Sequence, residues 1–166
     1  MIYGNPTLFS ISYDVIEYSD DNYWKFGILN FIIDDEIYPA KGSNYTLHMA
    51  FNYLKDSGIE ISNTRPFDIN LNINDIELIS VLAHSHGMLL DTDSDDMELP
   101  EINPIGVFLS PLEIADVGFY LFYLLINNNT EALIYSADYG VSAKKIELPK
   151  GTVNKVISEL PEKNFI

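Results

Sequence analysis

Two histidines stand two residues apart in His84-Ser85-His86-Gly87, directly after the apolar run 79–83. On the end of an extended strand such a pair faces one side and can share a metal ion, with Asp91 or Asp93 as a carboxylate ligand. The chemistry that set would support is zinc-assisted hydrolysis. Just beyond, Asp91-Thr92-Asp93-Ser94-Asp95-Asp96 begins like a calcium-binding EF-hand loop, with oxygens at alternating positions. The sixth position, where glycine is required, is Asp96, and the twelfth, where a bidentate glutamate belongs, is Ile102. Divalent-cation binding by this loop is adventitious at most.

The His84-x-His86 pair also resembles the core of the JAMM-type metal-dependent isopeptidases, with Ser94 where that pattern places a serine. Met97 occupies the position of the pattern's aspartate, Asp96 falls one residue early, and Gly87 replaces a proline. With three histidines in the whole chain, the ordinary reading of His84 and His86 is as hydrogen-bonded surface or core side chains. A metal-dependent hydrolase centred on them is the alternative. No Gly-x-Ser-x-Gly elbow and no phosphate-cradling glycine loop is present, so nucleophilic catalysis and nucleotide binding have no framework.

The remaining chemistry is charge. Nine basic against twenty-five acidic residues give a net −16, and between Pro66 and Ala143 there are thirteen acids and no lysine or arginine. Carboxylates crowded in this way repel one another, and a chain that keeps them generates a field able to capture a cationic partner. The cluster at 91–101 has two readings, a solvated acidic loop or a docking surface for a basic protein. Tyr18, Tyr23 and Trp24 lie beside Asp20 and Asp21, and aromatic rings next to an acidic rim make a second docking candidate.

The same charge excludes other partners. A phosphate backbone is repelled by a chain whose middle carries no lysine or arginine, so nucleic acid is not a partner, nor is an anionic membrane surface. The most apolar stretch, 119–126, is far shorter than the roughly 20 residues of a membrane span. The start Met1-Ile2-Tyr3-Gly4-Asn5-Pro6 lacks the basic and apolar regions of a secretory signal, and cysteine is absent, so the expected location is the cytoplasm. With 47% hydrophobic and 13% aromatic residues, 166 residues are expected to fold as one domain around one core.

The elements that must position these groups follow from periodicity. Residues 8–13 and 24–33 read as paired strands joined by the turn 19–22, and Asp34-Asp35-Glu36 turns into a short strand at Ile37-Tyr38. Leu47, Ala50, Phe51 and Leu54 have helical spacing, with Asn44 or Thr46 as cap and Gly58 as stop. Residues 63–74 alternate Phe67, Ile69, Leu71 and Ile73 as a strand or extended loop, and 76–82 suits a strand or a short helix capped by Asn74 or Asp75. Residues 92–104 form an exposed loop. Ser110-Pro111 starts a helical turn that ends at Gly118. A hairpin spans 119–126 and 131–137, a strand follows at 145–148, and a helix with Val153, Val156, Ile157 and Leu160 on one face closes the chain. The expected class is α+β, a single domain built mainly on antiparallel sheet with a few short helices.

Four segments carry a wider resemblance: Ile2-Tyr3-Gly4-Asn5-Pro6, the stretch from Tyr23-Trp24-Lys25 through Ile33 to Tyr38-Pro39, Ser110-Pro111-Leu112-Glu113-Ile114-Ala115-Asp116-Val117-Gly118, and Leu148-Pro149-Lys150-Gly151-Thr152-Val153. Together they make the chain similar, over nearly its full length, to the immunity proteins of bacterial polymorphic-toxin and contact-dependent inhibition systems, in particular immunity protein family 42. The resemblance implies a non-enzymatic, cofactor-free cytoplasmic protein that binds and blocks a cognate toxin. Many such toxins are nucleases with basic clefts, which suits the charge argument. The expected docking residues are Asp91, Asp93, Asp95, Asp96, Glu98 and Glu101, with Asp20 and Asp21 as the second set.

Overall fold

A computed structural model describes residues 1–68 and 72–166, the side chain of Lys163 excepted. Among the described residues the strands form two antiparallel sheets. The first comprises β1 (Ile2–Asn5), β2 (Phe9–Tyr18), β3 (Lys25–Ile33), β4 (Glu36–Tyr38) and β5 (Tyr45–Thr46), in the order β1-β2-β3-β4 with β5 also on β3. The second is the meander β6 (Val107–Phe108), β7 (Tyr120–Leu125), β8 (Thr130–Ser136) and β9 (Lys144–Pro149). Four α-helices accompany them: α1 (Leu47–Asn63), α2 (Asp75–Ser85), α3 (Leu112–Ala115) and α4 (Thr152–Glu159). The molecule is mixed α+β and mostly sheet, as the periodicity implies.

The β2–β3 pair forms where the alternation is clean. Phe9 faces Ile33, Ile11 faces Phe31 and Tyr13 faces Leu29, so one face of the pair is a continuous apolar surface. That face packs with α1 and α4 and with the inner face of the second sheet, through Leu121, Tyr123, Leu125, Leu133 and Tyr135. The second sheet is different because both of its faces are covered. Phe122, Leu124, Ala132 and Ile134 point the other way, onto Leu78, Ile79, Leu82 and Ala83 of α2. Alternate residues of β7 and β8 thus belong to two buried clusters where one core was expected, which is why 119–126 reads as an unbroken apolar run.

Several local expectations are corrected. Segment 76–82, by contrast, takes the capped-helix alternative: it lies in α2, whose Asn74 side chain accepts from the Glu77 amide at 2.9 Å. The helix begun at Leu47 passes through Gly58 to Asn63. Gly58 is not a stop; a Cβ there would lie 3.1 Å from Asn154 Oδ1 and Ile157 Cγ2, so its bare backbone lets α4 approach. Neither Asn44 nor Thr46 caps α1 with its side chain; the Thr46 amide donates instead to Glu113 Oε1 at 3.1 Å. Ser110 is no helix cap either. It is buried, donating to the Phe119 carbonyl at 2.7 Å and accepting from the Leu121 amide at 3.0 Å, and α3 begins after Pro111. Strands β1 and β6 had no sequence signal. Of the alternation expected at 67–73, Ile69 and Leu71 lie outside the described residues.

Candidate interaction site

The two histidines sit at the C-terminal end of α2 and not on a strand, which removes the shared face that a metal reading needs. A helix turns about 100° per residue, so residues two apart diverge. His84 Nε2 lies 2.6 Å from Asp93 Oδ2, whereas His86 Nε2 lies 3.0 Å from the Ile105 carbonyl. A carbonyl only accepts, so His86 Nε2 carries the proton and donates. The His86 ring also rests on Phe122, centroids 5.5 Å apart. Among the described residues no group of three or more histidine, aspartate, glutamate or cysteine side chains is arranged to hold a metal ion. The zinc constellation is replaced by two hydrogen bonds that tie a loop down.

That loop is the acidic one. Asp93 Oδ2 accepts from both His84 Nε2 and the Leu90 amide, the latter at 2.8 Å, and its side chain is only 12% exposed. Burial works against its ionised form, but the bonds from His84 and the Leu90 amide outweigh that and hold its carboxyl below the usual aspartate range. Further along, the Ile105 amide donates to Ser85 Oγ at 3.0 Å and the Asn103 amide to the Ser85 carbonyl at 3.1 Å. Both ends of the segment are therefore fastened to the end of α2. Between them Asp91, Asp95, Asp96, Glu98 and Glu101 are exposed. Ser94 donates to Asp96 and lowers its pKa. The loop does not wrap a cation in EF-hand fashion, because Asp93 turns inward while its neighbours face water.

Asp20 and Asp21 occupy a different layer, at the tip of the β2–β3 hairpin. Asp21 Oδ1 accepts from Ser19 and, at 3.0 Å, from the Tyr23 amide, which lower its pKa. Tyr23 and Trp24 are exposed and meet edge to face at 5.2 Å, and Trp24 leans on His48 of α1 at 4.2 Å. The structure brings the 91–101 acids together on one loop over the second sheet and leaves this pair on the first sheet.

Other acids of the lysine-free block are satisfied by donors within the chain. Glu131 is fully buried, yet its carboxylate is matched: Oε1 accepts from the Val153 amide at 2.9 Å, and Oε2 from the Gly151 amide at 3.0 Å and the Tyr123 hydroxyl at 2.8 Å. It caps α4 from a neighbouring strand, and burial followed by this carboxylate raises the Tyr123 pKa. Asp138 accepts from Ser136, at 2.7 Å, and from both the amide and hydroxyl of Ser142, at 2.8 and 2.6 Å.

Sequence reasoning missed a strip that leads away from the loop. The Asp91 amide donates to the Tyr139 carbonyl at 3.3 Å, and the Tyr139 hydroxyl to the Asp116 carbonyl at 3.0 Å. Gly118 adopts φ +92°, and a Cβ there would lie 2.7 Å from the Tyr139 ring. Tyr120 packs edge to face on Tyr139; burial first, then Asp91, Tyr139 and Asp116, raise its pKa. These contacts join residues 23 and 48 apart in the chain, beyond the reach of any local pattern.

The family model described as Immunity protein 42 matches residues 1–163. An uncharacterized protein of Pasteurella multocida is 30% identical over 172 residues, spanning 98% of this chain and 99% of that one. The crystal structure of CdiI from Burkholderia dolosa superposes with a TM-score of 0.73 at 20% identity, covering 96% of this chain and 97% of the other. The similarity to that crystal structure is one of fold.

Proposed function

The chain belongs to the immunity protein 42 family and is a toxin-neutralising immunity protein; from that premise we propose that it works without turnover, by laying its acidic loop over a basic surface of a nuclease toxin. The observation that carries this reading is the pairing of charge with fixation. Asp91, Asp95, Asp96, Glu98 and Glu101 are exposed on a segment fastened to α2 through Asp93, Ser85 and Ile105. Held carboxylates lose less freedom on docking than a mobile tail would, and their summed potential raises the rate of encounter. A nuclease cleft, built to hold phosphates, presents the complementary sign.

The toxin is assigned to a contact-dependent or other polymorphic toxin system, and the site of action to the cytoplasm. No helix among the described residues is long and apolar enough to cross a membrane. Asp20 and Asp21 remain the second set, where exposed Tyr23 and Trp24 supply apolar area beside the charge.

The test uses the cognate toxin domain, to be sought at the C-terminus of a large secreted protein in the neighbouring reading frame. Stopped-flow association at several ionic strengths should give a rate that falls steeply with salt. The variant D91N/D95N/D96N/E98Q/E101Q should associate about tenfold more slowly at low salt and converge on the parent at high salt. Identical rates for the two proteins at low salt would remove the loop from the interface.

A further inference from the structure

A small groove of about 140 Å³ opens between the first turns of α1 and the Pro111–Ile114 segment. Its walls are Tyr45, Met49, Tyr53, Pro111, Leu112 and Glu113. Two of the apolar side chains on it stand in water, Leu112 at 74% exposure and Met49 at 57%. Exposed apolar side chains gathered around a concavity mark an interaction site more often than isolated ones do. The walls are rigid, since the Tyr53 hydroxyl donates to the Phe108 carbonyl at 2.6 Å and Glu113 Oε1 accepts from the Thr46 amide.

One charge sits in this apolar setting. Glu113 forms no ion pair with a cation among the described residues. Beside it lies the buried Tyr45 side chain. Burial and then the Glu113 charge raise the Tyr45 pKa, with the Ser43 hydroxyl pulling the other way. A purely apolar occupant would cover the carboxylate without matching it, which is costly. An acidic occupant is repelled. A long aliphatic stem with a cationic head satisfies both halves of the groove. A chain of hydrogen bonds links the groove's helix to the acidic loop: the Tyr139 hydroxyl donates to the carbonyl of Asp116, three residues beyond Glu113, and the Asp91 amide to the Tyr139 carbonyl.

We propose that this groove receives a lysine or arginine side chain of the toxin, the stem lying against Met49, Tyr53 and Leu112 and the head on the Glu113 carboxylate. The inference rests on the immunity reading and adds an anchor to it. A second copy of this chain is a poor occupant, because two molecules of net charge −16 repel.

The experiment measures dissociation of the cognate toxin domain from the parent protein and from Leu112→Ser, Met49→Ser and Glu113→Gln, after thermal melts confirm that each variant is folded. Leu112→Ser is the safest of these, because its side chain is already mostly in water. Expected are an off-rate about 30-fold higher for Leu112→Ser and about tenfold higher for Glu113→Gln, with on-rates within about twofold. In a scan of toxin lysines and arginines to methionine, one substitution should raise the off-rate of the parent complex and add nothing in the Glu113→Gln complex. If the parent protein binds while Leu112→Ser and Met49→Ser dissociate as the parent does, the groove is not an anchor and the immunity reading stands. If Leu112→Ser matters but no toxin cation couples to Glu113, the occupant is not cationic and the proposal fails. If Leu112→Ser turns a sedimenting dimer of the free protein into a monomer, the occupant is a second copy and the proposal fails. If the parent protein does not bind the toxin domain at all, the immunity reading falls and takes the anchor with it.

Discussion

The loop at 91–101 and the groove beside α3 are opposite kinds of surface. The loop offers five exposed carboxylates on a fastened strap. The groove offers one carboxylate set among the apolar side chains of Met49, Tyr53 and Leu112. Coulomb attraction between exposed groups reaches about a Debye length, near 8 Å at physiological salt, and it assists approach more than it resists departure. Contacts in a desolvated pocket act only once the partner has arrived, and they govern departure. The difference teaches that charge count is a poor guide to role. Glu131, Asp93 and Asp138 come from the same lysine-free block as the loop acids, yet each is satisfied by donors of this chain and contributes to the fold.

The sharpest way to break that distinction is to remove the acid that is most internal. Glu131→Ala leaves the Tyr123 hydroxyl and the Gly151 and Val153 amides without their acceptor, in a site closed to water. Each orphaned donor costs about 1–3 kcal/mol, so urea unfolding should show a loss of about 3–5 kcal/mol. Glu131→Gln should also destabilise, since its amide group turns a donor toward a donor. A Glu131→Ala protein as stable as its parent would mean that this carboxylate, too, belongs to the field.

Smaller effects divide the loop from the groove. Leu112→Ser should act on dissociation, worth about 2 kcal/mol of affinity, with little change in association. The fivefold neutralised loop should act on association, worth about 1.4 kcal/mol at low salt and vanishing as salt rises. Mixing the two should give additive changes, because the pathway from Leu112 to the loop runs through Asp116 and Tyr139 and the sites share no direct contact. Strong non-additivity would show that the loop and the groove act as one surface.

What could be read in advance follows the same division between local and distant causes. Strands β2 and β3 were legible because Phe9, Ile11 and Tyr13 alternate with Ser10, Ser12 and Asp14 and a largely apolar run follows across the turn at 19–22, and the β7–β8 hairpin because Asn127-Asn128-Asn129 separates two apolar runs. The exposed loop was legible from its composition. Helix α2 was ambiguous because a helix lying on a covered sheet shows few polar residues, and from 76 to 82 its sequence suits a buried strand equally well. The facing direction of the histidine pair was open for the same reason, since it depends on which of the two elements forms, while its ordinary reading as hydrogen-bonded side chains holds. The groove had no signal at all: Met49 and Leu112 are brought together only when α1 packs beside α3, with Glu113 closing the helix start.

The finest distinction is between Asp93 and its five neighbours. If Asp93 is a fastener, Asp93→Asn should lower stability by about 1 kcal/mol while leaving the association rate of the toxin domain within about twofold. The pH dependence separates the roles further. The folded protein holds this carboxyl below its ordinary value, so its contribution is complete above the unfolded pKa of about 3.9 and is lost as pH falls through the folded value. Urea titrations at pH 5 and pH 3 should therefore show a smaller drop for Asp93→Asn than for the parent. Part of the drop will survive in the variant, because Asp138 is held low in the same direction by Ser142 and Ser136, against its burial. Asp95→Asn supplies the contrast: its exposed side chain makes no hydrogen bond or ion pair among the described residues, so the substitution should act on association alone. A parent and an Asp93→Asn protein with equal acid sensitivity would place Asp93 among the docking acids and leave the loop held by Ser85 and Ile105.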